Sequence, residues 1–182
     1  MKELSLNILD ITENSVKAKA TLTEIKITEK KNALTITITD NGTGMTREVL
    51  SSVTDPFYTT RSTRRVGLGI PLFKDAAEQT GGRLDITSRH IDEFPDSHGT
   101  VVSAEFDKGH IDCPPLGDVI STVTTLIQGH PDTDFLYIHN IDGKEVRIDT
   151  RELRAVLEDV PLDTFEVLIW IRDNLREQYN GI

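Results

Sequence analysis

The 182-residue chain predicts an α/β fold. Three observations lead there. Apolar residues recur at helical spacing over residues 3–18, two stretches alternate with period two at Leu22–Thr28 and Leu34–Thr39, and helical spacing returns over Gly69–Thr80 before two more strand-like runs. Composition agrees, with 37% hydrophobic and 27% charged residues, as a folded globular chain of this length requires. No apolar run approaches the roughly 18 residues of a membrane span, and the opening MKELSLNILD lacks the layout of a secretory signal, so no membrane role is expected. The single cysteine, Cys113, excludes an intrachain disulfide and suits a reducing compartment; a cytoplasmic protein is expected.

The opening helix carries a polar stripe. At about 100° per residue, Asp10, Asn14 and Lys17 fall within about 60° of one another, flanked by Leu4, Ile8 and Ile11 on one side and Leu9 and Val16 on the other. Such a helix either lines a ligand pocket or presents an ordinary wet face. In the second strand, Leu34, Ile36 and Ile38 share a face, and the same alternation puts Asp40 at the end of their row. An acid there is costly unless donors meet it, which marks Asp40 as a ligand candidate. EKKN at 29–32 reads as the hairpin turn between the two strands.

DNGTGM then breaks the strand, and Thr46 caps a short helix to Val53. The following DPFYTTRSTRRVG is irregular, basic and rich in hydroxyls. The helix Gly69–Thr80 holds Pro71 in its first turn, where proline is tolerated, and stops at Gly81–Gly82. Strands Leu84–Ser88 and Thr100–Phe106 flank the polar loop RHIDEFPDSHG.

Residues 107–116 read as a connector stiffened by Pro114–Pro115. Beyond it come a helix at Val119–Gln128, a hairpin turning at Asp142–Gly143, a helix at Thr150–Asp159 and a last helix at Asp163–Gln178 with Asp163 and Glu166 in capping-box positions. The run Val167-Leu-Ile-Trp-Ile is apolar on more than one face, so it is either sandwiched in a core or docked on something. Two units are expected, 1–107 and an acidic α+β extension at 108–182. Residues 1–107 hold 13 basic and 16 acidic side chains; 108–182 hold 7 and 14, most of the net charge of −10. That balance disfavours nucleic acid as a partner and leaves either a protein-docking role or a plain solvated surface.

In chain order, LDITENSVKA around Asn14, DNGTGM at Asp40–Met45, VGLGIP at Val66–Pro71 and HGT at His98–Thr100 are together similar to the GHKL ATPases. That group contains histidine kinases, MutL-type mismatch-repair proteins, gyrase B subunits and anti-sigma-factor kinases. The resemblance covers residues 1–107 and implies the Bergerat ATP-binding fold, a two-layer α/β sandwich with a mixed sheet and helices on one face. It implies ATP and Mg²⁺ as cofactors. Asn14 matches the asparagine that holds Mg²⁺, and Lys17 a lysine that meets the phosphates in many histidine kinases. Asp40 matches the acid that reads the adenine amino group, with Gly42, Gly44 and Met45 beneath base and sugar. Phe57, Thr59, Thr60 and Arg61 belong to the lid segment, Gly67, Leu68 and Gly69 to the phosphate-facing turn, and Thr100 to the last box, where its hydroxyl supports the aspartate–adenine contact.

Asp10 departs from the pattern. Hydrolysing members place a glutamate there and histidine kinases usually an asparagine. A carboxylate can act as general base, but aspartate is one methylene shorter than glutamate; a structural cap or a group behind the metal is the alternative. No histidine precedes His90, so a self-contained sensor kinase with its own phospho-accepting helix is not expected. The strand and helix that generally precede the asparagine box in those domains are not expected either, and the Phe135–Asp149 hairpin is expected to cover the surface they would occupy. Three functions stay open at this point: a kinase subunit acting on a histidine or serine of a partner protein, an ATPase working as a conformational switch with Asp10 as base, and a non-catalytic ATP-dependent docking module. Self-association is left open.

Overall fold

The structure is a computed structural model and describes residues 3–54 and 68–182. One mixed sheet organises it, in the order β3-β4-β2-β1-β5-β6. The strands are β1 (Leu22–Lys30), β2 (Ala33–Asp40), β3 (Arg83–Arg89), β4 (Gly99–Asp107), β5 (Asp134–Ile141) and β6 (Lys144–Asp149). Every neighbouring pair is antiparallel except β1 and β5, which run parallel.

Register places the buried apolar strand residues on one face. Ile25 lies opposite Ile38 and Tyr137, Ile38 opposite Val102, and Tyr137 opposite Ile148. The opposite face carries Thr35, Thr37 and Thr39, half-exposed, with Thr37 and Ser103 sharing a hydroxyl hydrogen bond of 3.0 Å. This is the one-sided burial that period-two alternation predicts for an antiparallel sheet.

Helices α1 (Leu4–Lys17), α3 (Gly69–Glu78), α4 (Val119–Gly129) and α6 (Phe165–Asn180) layer over the apolar face. The core joins Leu4, Ile8 and Ile11 of α1 and Phe73 of α3 to Val123 and Leu126 of α4 and Ile171 and Leu175 of α6. Two short helices complete the chain, α2 (Arg47–Ser52) and α5 (Thr150–Leu157). The fold is thus a two-layer α/β sandwich.

Residues 1–107 and 108–182 share this sheet and this core. β5 takes the edge of β1 that β2 leaves free, from Leu22 opposite Asp134 to Glu29 opposite Ile141, and α4 packs on α1. The connector also finishes α1. That helix lacks a side-chain cap at Glu3, and the N–H groups of Leu4 and Ser5 donate instead to the carbonyls of Pro115 and Leu116, at 3.0 and 2.8 Å. The far edge strand, β6, is occupied too: Gln178 of α6 accepts from the Arg147 N–H at 2.8 Å and donates to the Arg147 carbonyl at 3.0 Å.

Most expected elements appear within one or two residues of their predicted bounds. Thr46 caps α2 by accepting from the Val49 N–H, and Asp142 and Gly143 both take positive φ in the β5–β6 turn. The end of the chain differs. α6 begins at Phe165 behind Thr164, with no side-chain cap hydrogen bond, so the expected Asp163–Glu166 capping box does not form. Leu162 is fully buried just before this start, and its anchoring sets where the chain enters the helix.

Candidate functional site

The polar stripe of α1 survives folding. Asp10, Asn14 and Lys17 are exposed, while Ile8, Ile11 and Ser15 on the same helix are buried against the sheet. The N-terminus of α3 comes up beside that stripe. A Cβ placed on Gly69 would lie 3.2 Å from the Asp10 Cβ and 4.0 Å from the Asn14 Nδ2. Among the described residues no side chain caps the Leu68 end of α3, and this helix start lies beside Asp10 and Asn14. An uncapped helix start next to a carboxamide is a place where an anion's oxygens are well received.

Asp40 has the donors its position demands. Ser15 Oγ donates to its Oδ2 at 2.7 Å, and the Gly42 N–H donates to its Oδ1 at 2.9 Å. Strand register extends a polar row across the helix-facing side of the sheet at this level: Ser88 opposite Thr100, Thr100 opposite Asp40, and Asp40 opposite Thr23. Ser88 and Thr100 share a hydroxyl hydrogen bond of 2.8 Å, and Ser88 also accepts from the Met45 N–H at 2.8 Å. Among the described residues, the hydroxyls of Thr23 and of Thr12 on α1 are buried with no partner. Unpartnered hydroxyls at that depth are costly unless a polar ligand or water meets them, so the donor set around Asp40 fits a polar planar group better than an apolar one.

The DNGTGM turn is held from several sides. The Asn41 side chain accepts from the N–H groups of Thr21 and Leu22 and donates to the Thr21 hydroxyl, closing the start of β1. The Thr43 N–H donates to the Ala18 carbonyl, and the Thr43 carbonyl accepts from Ile91. Gly42 has no room for a side chain: a Cβ would meet the Ala18 carbonyl oxygen at 2.8 Å and the Asp40 Oδ1 at 3.0 Å. Gly44 takes φ +69° with the Arg89 carbonyl where a Cβ would stand, so only glycine fits. A ring nitrogen of His98 lies 2.5 Å from the Gly42 carbonyl.

Charge around Asp10 is uneven. Its surface is open to solvent, yet the neighbouring groups strip enough hydration to lift its carboxyl above the ordinary value; Lys17 offsets part of the rise and Glu13 adds to it. Glu13 is itself engaged, with Lys17 at 4.0 Å and with His130 Nε2 at 2.7 Å. Through His130 the segment beyond residue 108 touches the same helix that carries Asn14.

The structure therefore brings together Asp10, Asn14, Lys17 and Gly69 at one end, and Asp40, Gly42, Gly44, Met45 and Thr100 at the other, joined by Ser15 one residue after Asn14. Leu68 is exposed at the head of α3. Phe57, Thr59, Thr60, Arg61 and Gly67 lie outside the described residues. Sequence reading missed the Ser15–Asp40 bond, Ser88 and Thr23. The row could have been found by continuing the alternation that located Asp40 into the facing strands.

Comparison with known proteins then decides the family. Residues 2–110 match the family described as histidine kinase-, DNA gyrase B- and HSP90-like ATPase. The chain belongs to that family. It is 26% identical over 113 residues to a putative NtrY-like sensor histidine kinase of Rickettsia conorii, a match covering 62% of this chain and 18% of the relative. It is 30% identical over 94 residues to the sensor protein KdpD of Clostridium acetobutylicum, covering 49% and 10%. The matched region thus spans less than a fifth of either relative's length. Among solved structures, the MutL ATPase domain of Aquifex aeolicus, complexed with ADP, is similar over 99% of this chain and 70% of that one, with a TM-score of 0.55 and 15% identity, a likeness of fold. Membership in this family of ATPases assigns ATP binding to the domain. Among the described residues, no helix is long and apolar enough to cross a membrane.

Proposed function

We propose that this chain binds Mg-ATP in the cleft between α1 and the N-terminus of α3 and transfers the γ-phosphoryl group to a histidine or serine of a partner protein in the cytoplasm. In this reading Asp40 accepts from the adenine amino group, and Ser15 and Gly42 hold the carboxylate in place for it. Gly42, Gly44 and Met45 line the base and sugar, and Thr100 supports the contact through the Ser88–Thr100 pair. Asn14 offers a carboxamide oxygen to Mg²⁺, which would neutralise phosphate charge. Lys17 and the first amides of α3 face the phosphates, with Gly67 and the Phe57, Thr59, Thr60 and Arg61 segment closing the site.

The observation that carries this reading is the meeting of Gly69, Asp10 and Asn14 within about one side chain's width. It supports the reading because a carboxylate, a carboxamide and a helix N-terminus stand side by side there. In the transfer, the acceptor's proton passes to the Asp10 carboxylate as the bond from the acceptor atom to γ-phosphorus forms and the bond to the β,γ-bridging oxygen breaks. The raised pKa of Asp10 makes it a better base than an ordinary aspartate. The same fact favours a second reading, in which water is the acceptor and hydrolysis resets a conformational switch.

Labelled γ-phosphate separates the readings. The protein is incubated with Mg²⁺ and γ-labelled ATP, alone and with a cell extract, beside Asp10→Asn. Label on a second protein supports the kinase; free phosphate that disappears in the variant supports the switch; bound, unchanged ATP defeats both. Because Asp10 must be ionised to act, turnover is expected to fall as pH drops through its raised pKa, and the variant to lose that limb of the profile. No heat of binding with Mg-ATP by calorimetry would overturn the site itself.

A further inference from the structure

α6 is apolar on two faces, and the fold uses one. Val167, Leu168, Ile171 and Leu175 are buried in the core, whereas Phe165, Ile169 and Trp170 point away from it, 71%, 38% and 52% exposed. Their i, i+4 and i+5 offsets place them on the outer side of the first turns of α6. Val156 near the end of α5 and Val160 in the link to α6 are exposed as well, at 82% and 46%. Large side chains left in water together over so short a stretch mark a contact surface more often than chance.

The surrounding charge says what kind of contact. From Ala155 to Ile171 the chain has four acids, Glu158, Asp159, Asp163 and Glu166, and no lysine or arginine. All four are exposed, and none forms an ion pair with a described residue. Some other acids of residues 108–182 are answered by a cation: Asp149 by Arg147 and Arg151, Glu152 by Arg147, Asp134 by Arg154 and Asp173 by Arg176. Four exposed acids without a described ion pair thus share one stretch of chain with the uncovered apolar side chains, and the first cation after them on α6 is the exposed Arg172.

We propose that the outer face of α6, with the link from α5, docks a basic amphipathic helix of a partner protein. Its apolar stripe would lie on Phe165, Ile169 and Trp170 and its flanking lysines or arginines would meet Glu158, Asp159, Asp163 and Glu166. A second copy of this chain is a poorer occupant, because the same acids would face each other across a twofold contact. Anionic membrane is repelled for the same reason. The surface is remote in sequence from every residue assigned to the nucleotide, and its test does not depend on ATP.

Trp170 is the only tryptophan in the chain, so its emission reports on this face alone. The full-length protein is titrated with a tryptophan-free synthetic peptide of leucine and lysine arranged as an amphipathic helix. Two controls are run, a scrambled peptide of equal charge and a peptide with glutamate for lysine. A saturable blue shift with the amphipathic basic peptide, weakened at least tenfold by F165A/I169A and by D163K/E166K, is the expected result. Both variants alter exposed side chains only, and their melting should match the parent. The proposal is overturned by equal responses to the scrambled or acidic peptide, or by a response that both variants leave unchanged. It is also overturned by a blue shift of the protein alone that grows with its concentration, which would make a second copy the occupant. A shift with phosphatidylcholine vesicles but not with the peptide would likewise defeat it.

Discussion

Ser15 stands one residue after the exposed Asn14 and points the other way, into the sheet, where its hydroxyl bonds Asp40. The two side chains therefore tie the proposed metal end of the cleft to the proposed base end through a single peptide unit. Removing that tie is predicted to weaken ATP without unfolding the protein. Ser15→Ala should raise the ATP dissociation constant by about fivefold, the worth of roughly 1 kcal/mol for one hydrogen bond. Asp40→Asn, which exchanges an acceptor for a donor, should cost roughly tenfold or more. Calorimetry with Mg-ATP and with Mg-GTP measures both; equal affinities of parent and Asp40→Asn would remove Asp40 from the adenine contact.

At the scale of elements, the chain beyond residue 108 is part of the ATPase unit's construction. Its carbonyls at Pro115 and Leu116 complete α1, and α4 packs on that helix from an N-terminus where Asp118 accepts from the Ser121 N–H and hydroxyl. These bonds hold the Asp118 carboxyl below its ordinary value. Asp118→Ala should lower stability by about 1 kcal/mol, read as a drop in thermal midpoint. A protein ending at Lys108 would lose the α1 cap and leave the β1 edge bare; it is expected not to give a cooperative melt. A stable, ATP-binding 1–108 fragment would contradict this account. The elements themselves were legible from periodicity because each depends on neighbours a few residues away, as at Leu34–Thr39 or Asp142–Gly143. The pairing of β1 with β5 was not, since it joins residues such as Glu29 and Ile141 that no local pattern links. Nor was the start of α6, where burial of Leu162 outweighed a capping box that looked sound.

Across the whole molecule, one buried chain of polar groups spans strands and helix. His139 on β5 is 1% exposed; its ring nitrogens meet Tyr179 at 2.7 Å and Glu29 at 2.9 Å. Tyr179 in turn shares a hydrogen bond with Tyr137, and Glu29 pairs with Lys108. Burial pushes the imidazole below its ordinary 6.5, with Glu29 pulling partly back, and pushes the Tyr179 phenol up to about 12. Folded His139 thus resists a proton that the unfolded chain accepts. Between its lowered value and about 6.5 the unfolded state holds more protons, so stability rises with pH through that window. The thermal midpoint should fall as pH drops below about 6.5, and His139→Gln should flatten that slope. Asp118 and Asp149, both held below 3.8, add their own losses only in stronger acid. No local pattern in the sequence singles out His139, because its environment is assembled from four separate segments.

The carboxamide of Gln178 has a further consequence. It occupies both the N–H and the carbonyl of Arg147, midway along the six residues of β6, so that border of the sheet has no open backbone left at its centre for another strand. The opposite border is β3, whose outer side no described strand pairs. Molecules that met border to border would therefore join β3 to β3 about a twofold axis and halt at a pair, since the centre of β6 is already taken by Gln178.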